Sequence, residues 1–378
     1  MTETLPHTIG LPGAPGHVSD AGRPGPGTDG RAPQSGSEQG EFLALLRSGT
    51  ALVEPVLREA VDRLHPSVAT VCRYHLGWDG GDAGEGSSVA RAGKRVRAAL
   101  ALLSARSAGA PERFAAVAGA SVELVHQLSL LHDDIMDGDT ERRGRPAAWA
   151  RFGTGPAVLA GDALVVQAVA TIFHAEAPGA RAATEELIAA VEQMVAGQAE
   201  DLALEHRSAH EVSARRYTHM ARGKTGALFG CAAALGAVLA QAPPPLVRTL
   251  RGAGSDLGVA FQILDDVLGL WGDGALTGKP VGADLVRGKK TLPLLLAAGS
   301  DTADGRRLAA LLGPAPLPPD RVPEVMGLLE TTHSRERAEA IAARQVKSAV
   351  AALDEAGLPE DVRRQWQALI ACLSRRER

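Results

Sequence analysis

The sequence predicts an all-α protein: one large helical bundle behind a disordered N-terminal extension. Three observations carry this expectation. Ala and Leu dominate a chain that is 45% hydrophobic but only 3% aromatic, a composition that favours closely packed helices over a β-sandwich. Apolar residues recur at helical spacing almost throughout the chain beyond residue 41. No segment sustains the period-two alternation of a half-buried strand.

Residues 1–40 are crowded with Gly and Pro, with Ser, Asp and Thr between them. Such a segment cannot bury enough apolar surface to offset the entropy of ordering it, so it reads as a disordered tail. Residues 41–378 then form the folded domain. Phe42, Leu45, Leu46, Leu52, Val53, Val56, Leu57 and Val61 mark its first helix, before Pro66. The breaker-rich stretch 77–86 reads as a loop. Ala/Leu/Val runs over 96–110, 115–131, 155–175, 181–204, 215–240, 246–271 and 291–298 supply the bundle. Residues 313–319, Gly-Pro-Ala-Pro-Leu-Pro-Pro, form a later loop, and 322–373 is amphipathic helix with Lys and Arg facing water.

A net charge of −4 gives no support to nucleic-acid binding. Cys72, Cys231 and Cys372 are too scattered for a zinc or disulfide framework and are compatible with a reducing cytoplasm. The first residues lack the basic and apolar regions of a secretory signal. No charge-free apolar run of 18 residues stands out, and 228–239 is too short to span a bilayer, so no transmembrane segment and a cytoplasmic location are expected.

The chemistry is concentrated in two aspartate clusters set in apolar surroundings, Asp133-Asp134-Ile135-Met136-Asp137 and Asp265-Asp266-Val267-Leu268-Gly269. Burying adjacent carboxylates costs several kcal/mol per charge unless a cation compensates them. Oxygen-only donors point to Mg²⁺ rather than zinc. On a helix, Asp133 and Asp137 share a face, and His126, two turns earlier, lies beneath them. Gln262 stands one turn before Asp265. The basic clusters Gly93-Lys94-Arg95-Val96-Arg97, Arg142-Arg143-Gly144-Arg145 and Gly288-Lys289-Lys290-Thr291 suit an anionic ligand. Metal plus phosphate is the reading these residues support.

With Arg142-Arg143-Gly144-x-Pro146 behind it, the first cluster resembles the first aspartate-rich motif of the trans-isoprenyl diphosphate synthases. Phe261-Gln262-x-x-Asp265-Asp266, followed by Gly278-Lys279-x-x-Gly282-x-Asp284-x-x-x-Gly288-Lys289-Lys290-Thr291, resembles the second. Gly93-Lys94-Arg95-x-Arg97, Gly161-Asp162, Gly197-Gln198-x-x-Asp201-Leu202 and Lys224-Thr225 fall in the family order, so the resemblance covers roughly 45–375. It implies the isoprenoid synthase fold and condensation of isopentenyl diphosphate with an allylic diphosphate.

The resemblance assigns Asp133, Asp137 and Asp265 to Mg²⁺, with Asp134 and Asp266 beside them in the catalytic clusters. It assigns Arg142, Lys224, Thr225, Gln262, Lys279 and Lys289 to the allylic diphosphate, and Lys94, Arg97, His126 and Arg143 to isopentenyl diphosphate. Gly269 departs from the usual third aspartate. In the family a bulky aromatic one turn before the first motif shortens the product. Here the floor is Ser129, Leu128 and Val125, which favours growth to C20, geranylgeranyl diphosphate. The resemblance also implies a homodimer, and residues 1–40 are similar to the loading tails of encapsulin-cargo relatives, which would place the enzyme inside a protein nanocompartment.

Within the family a farnesyl (C15) or longer-chain synthase is the alternative product length, and two rivals differ in kind. A class I terpene cyclase would need an Asn/Asp…Ser…Glu metal motif where this chain has Asp265-Asp266 and a Gly-Lys-Lys-Thr loop. A non-catalytic subunit, conceivable because of Gly269, sits poorly with the intact first motif.

Overall fold

The computed structural model describes residues 35–79, 95–272 and 282–374. Helix α1 (Ser35–Asp62) begins ahead of the expected boundary at residue 41; the rest of the expected tail, most of the loop at 77–86, and Lys94 and Lys279 lie outside the described residues. Then come α2 (Pro66–His75), α3 (Val96–Ser107), α4 (Glu112–Met136), a two-strand ribbon β1 (Glu141–Arg142) and β2 (Arg145–Pro146), α5 (Ala148–Phe152), α6 (Thr154–Phe173), α7 (Ala180–Glu205) and α8 (Ala214–Ala221). The second half holds α9 (Ala227–Leu239), α10 (Pro244–Trp271), α11 (Ala283–Val286), α12 (Leu292–Ala298), α13 (Ala303–Leu311), α14 (Val322–Thr331), α15 (Ser334–Asp354) and α16 (Glu360–Ser374).

Helix α9 is the hub. It is apolar on every side, from Leu228 to Leu239, and such a helix has to be buried all round. It packs against α3, α4, α7 and α10, while α4 also lies against α3 and α6. The long α10 joins two apolar clusters. Its first half packs with Leu100, Leu124 and Phe229, and its second half, through Ile263, Val267 and Leu270, packs with α12 and α14.

Three local departures from the sequence reading have clear causes. The ribbon was not expected, because two residues per strand show no periodicity. Arg143 and Gly144, at φ +53° and +69°, form the two-residue turn that closes the pairing of Arg142 with Arg145. The run 215–240 is interrupted by a π-helical turn, Arg222–Gly226, between α8 and α9. The amphipathic stretch 322–373 divides into α14, α15 and α16.

Helices α4 and α6 are, by length and composition alone, long and apolar enough to cross a bilayer. A search for charge-free runs passes over them because of Glu123 and Asp162. Helix α4 places most of that apolar surface inside the bundle. Helix α6 leaves Leu159, Val166 and Phe173 each more than half exposed, one stripe at seven-residue intervals. Ile188 and Val195 extend it onto the neighbouring α7.

Candidate active site

The first aspartate cluster sits where α4 stops. Asp133 and Asp134 occupy its last turn, Asp137 is the C-cap, and Gly138 at φ +67° turns the chain out of the helix. The two halves of the cluster do different work. Asp134 is 1% exposed, and both its oxygens accept from Arg142, with Nε at 2.7 and 2.8 Å and Nη2 at 2.6 Å. That bidentate pair fixes Arg142 on the ribbon. Asp133 takes no such grip: the charges acting on it are Lys224, Asp137, Lys289 and Arg142, and burial pushes its carboxyl above the usual range despite the three cations. Asp137 accepts from Lys289 Nζ at 2.9 Å, and the same oxygen lies 3.6 Å from Arg287 Nη1.

The cations across the cleft come from two places. The π turn presents Lys224, whose Nζ donates to Asp201 Oδ2 at 2.5 Å, and Thr225, whose hydroxyl donates to Gln262 Oε1 at 2.6 Å. Burial works against the Lys224 charge, but Asp201 and Asp133 more than offset it and its pKa is raised. The segment after α11 presents Lys289. Lys290 behind it is buried, its ammonium donating to the carbonyls of Gly288 (2.7 Å) and Glu205 (3.1 Å), so it secures the loop.

The second cluster is likewise divided. Asp266 is enclosed. It accepts from Tyr217 Oη at 2.5 Å, Leu292 N at 3.1 Å and Gln262 Nε2 at 3.1 Å, and burial pushes its carboxyl up to about 7. It therefore ties α8, α10 and α12 together beside Asp265. Gly269, one turn on, packs against Asp284: a Cβ there would lie 2.5 Å from Asp284 Oδ2. A carboxylate from α11 thus borders the position where the resemblance leads one to expect a third aspartate.

His126 lies among Arg97, Arg142 and Arg143, with its Nδ1 sealed from solvent. Burial first, then those guanidiniums, lower its pKa well below the ordinary imidazole value. Arg97 also stacks 4.8 Å from the Phe229 ring. Arg95, the middle residue of its motif, turns away to pair with Glu54 of α1 at 2.6 Å. Of the floor residues, Val125 and Leu128 are buried, and half-buried Ser129 donates to the His126 carbonyl at 2.8 Å. His132 hydrogen-bonds the Val158 carbonyl at 3.3 Å.

Four participants escaped the sequence reading. Asp201 stood in a recognised motif without a role. Arg287, which also pairs with Asp139, stood next to the basic Gly-Lys-Lys loop. Asp284 likewise stood in the second motif without a role, and Tyr217 gave no periodic or compositional signal.

Among the described residues no three His, Cys, Asp or Glu side chains converge into a ready-made metal cage. Hard oxygen donors that do not complete a cage suit Mg²⁺, which is bound through one or two carboxylates together with substrate phosphates.

An all-helical bundle with two carboxylate clusters facing paired lysines and arginines defines an enzyme built to act on phosphorylated, anionic substrates. The chain belongs to the polyprenyl synthetase family, whose pattern matches residues 86–329, and is a transferase of the prenyl diphosphate synthase type. It is 40% identical over 316 residues to a geranylgeranyl diphosphate synthase of Mycobacterium tuberculosis, covering 83% of this chain and 89% of that one. It is 38% identical over 343 residues to a (2E,6E)-farnesyl diphosphate synthase of Mycobacterium bovis, covering 88% and 94%. The crystal structure of a polyprenyl synthetase from Streptomyces coelicolor A3(2) superposes with a TM-score of 0.79 at 40% identity, covering 87% of this chain and 98% of that one.

Proposed function

We propose that this enzyme condenses isopentenyl diphosphate head-to-tail with allylic diphosphates in the presence of Mg²⁺, giving an all-trans C20 product, geranylgeranyl diphosphate. The observation that carries this reading is the cleft at the end of α4, where Asp133 and Asp137 face Lys224, Lys289 and Arg142. Asp133, Asp137 and Asp265 would hold Mg²⁺, which when bound would neutralise charge gathering on the departing diphosphate. Lys224, Lys289 and Arg142 aim donors at that same group, with Thr225, Gln262 and Lys279 completing its site. Lys94, Arg97, His126 and Arg143 hold the second diphosphate and so position the attacking alkene. The apolar bundle keeps water from the allylic cation. No side chain is needed as the final base, since the released diphosphate takes the proton.

Sizing the prenyl alcohols released after incubation with Mg²⁺, isopentenyl diphosphate and C5, C10 or C15 allylic diphosphates tests this. A dominant C20 alcohol is expected. No elongation by the folded protein with any starter removes the reading and leaves the non-catalytic subunit.

The relatives named above include C20 and C15 synthases, and the small Ser129 side chain favours the longer product. Ser129→Phe is expected to move the main product from C20 towards C15. An unchanged product spectrum would show that Val125, Leu128 and Ser129 do not form the floor.

The exposed stripe Leu159–Val166–Phe173, continued by Ile188 and Val195, supports a homodimer, since a second copy of the same stripe would cover it. Val166→Asp is expected to convert the dimer to monomer in light-scattering measurements. Residues 1–40 are assigned to loading into an encapsulin shell. Their deletion should leave prenyl transfer intact and abolish encapsulation on co-expression; retained encapsulation refutes the assignment.

A further inference from the structure

Between the C-terminal end of α2 and the ribbon lies a pocket whose walls include Tyr74, His75, Arg142, Arg143 and Arg145. Two of its arginines are fixed from outside. Arg142 is gripped by Asp134, and Arg145 stacks 4.0 Å from the Tyr74 ring. Tyr74 in turn donates to the Pro146 carbonyl at 2.8 Å, so α2 and the ribbon form one rigid wall.

His75 does not fit a purely structural account of that wall. It is 8% exposed, and its Nε2 is sealed without a hydrogen-bond partner. An unmatched buried polar atom carries a desolvation cost that an apolar residue at the same position would not. Val71, Cys72 and Leu76 around it on α2 are all apolar and buried. Burial first, then the charges of Arg142 and Arg143, push the imidazole down to about 3, so the ring stands uncharged beside two guanidiniums. Gln127 of α4 hydrogen-bonds the ring through its side chain and backbone, leaving Nε2 as the unmatched atom, and His126 is a further polar neighbour. An anion in this pocket would cancel the repulsion and select the neutral tautomer with its proton on Nε2, giving that atom an oxygen to which it donates.

We propose that His75 is a direct hydrogen-bond donor to the diphosphate of the alkene substrate, sharing it with Arg143. The proposal rests on the prenyl-transfer reading of the same cleft. It adds a residue from α2, an element to which no sequence motif assigned a role.

The experiment compares wild type, His75→Phe, which fills the space without a donor, and His75→Gln, which keeps one. KM is measured separately for isopentenyl diphosphate and for the allylic diphosphate, alongside Tm. His75→Phe is expected to raise KM for isopentenyl diphosphate about tenfold, with KM for the allylic substrate and kcat at saturation within about twofold, and His75→Gln to restore most of the loss. His75→Leu replaces the Phe variant should the larger ring prevent folding. An unchanged KM for isopentenyl diphosphate in a folded variant overturns the proposal. So does a parallel rise in both KM values with a fall in Tm, the signature of a packing residue. Calorimetry of inorganic pyrophosphate without metal separates this from failure of the prenyl-transfer reading. With a wild type that elongates no substrate, roughly tenfold weaker pyrophosphate binding in His75→Phe still places His75 in an anion site, and equal binding removes it.

Discussion

Asp133→Asn and Asp134→Asn, adjacent and isosteric, are expected to give opposite outcomes. Asp134 is the buried partner of Arg142 through three hydrogen bonds. Removing its charge takes the main partner from a partly buried guanidinium, and breaking a buried pair from one side costs up to about 3–5 kcal/mol. Thermal or urea denaturation should show that loss, and KM for the allylic diphosphate should rise because Arg142 is no longer aimed. Asp133 presents the reverse case. Burial raises its pKa, so the folded protein binds this proton more tightly than the unfolded chain does. A carboxyl of that kind subtracts stability as pH rises from its unfolded value through its folded one, and at neutral pH the ionised form is a burden on the fold. Asn at 133 is therefore expected to leave Tm unchanged or slightly higher while prenyl transfer falls by about a thousandfold or more, since charge stabilisation is the dominant catalytic contribution. If both variants lose the same stability, the division of labour within the cluster is wrong.

Gly197→Ala should be among the most damaging single-methyl changes at the described glycines. A Cβ at 197 would lie 2.6 Å from Gly223 C and 2.7 Å from Lys224 Cα, and backbone cannot rotate aside as a side chain can. Helix α7 and the π turn would have to separate, an overpacking cost of about 1–3 kcal/mol. The functional loss is larger, because the Lys224–Asp201 and Thr225–Gln262 bonds both depend on where that turn sits. Displacement of a positioned group by about 1 Å costs on the order of a hundredfold in rate, and kcat/KM should fall by at least that much. Gly252→Ala on α10, where a methyl meets nothing within 4 Å, is the control and should be neutral or mildly stabilising.

Most helix positions were legible in the sequence because their determinants are local: apolar residues at helical spacing, with the first run ending before Pro66; α2 itself, Pro66–His75, was not read. The aspartates and their basic counterparts were legible because charged residues in apolar runs demand a reason. What could not be read is which way each charge turns. Asp134 and Asp133 are equivalent in a string of letters and opposite in space, since one helical step rotates the side chain by roughly 100°. Arg95 and Arg97 divide in the same manner, one to Glu54 and one to the Phe229 ring beside His126. The π turn was invisible because it inserts into an unbroken helical pattern. Asp284 beside Gly269 joins residues from different elements, a proximity that only the tertiary fold reveals.

The paired charges of the cleft also imply an order of events. Lys289 holds Asp137, and Lys224 holds Asp201, so the resting enzyme serves as its own counterion. A divalent ion arriving alone would take Asp137 and leave the Lys289 ammonium facing another positive charge. A diphosphate arriving alone would take Lys289 and leave a bare carboxylate facing its oxygens. Were the two to bind together as proposed, Asp137 would turn to the metal and the Lys289 ammonium to the phosphate, and no charge would be stranded. Affinity for each would then be conditional on the other, a reciprocal linkage. Such a cleft would act as a coincidence detector, favouring the state in which both ligands are present over either alone.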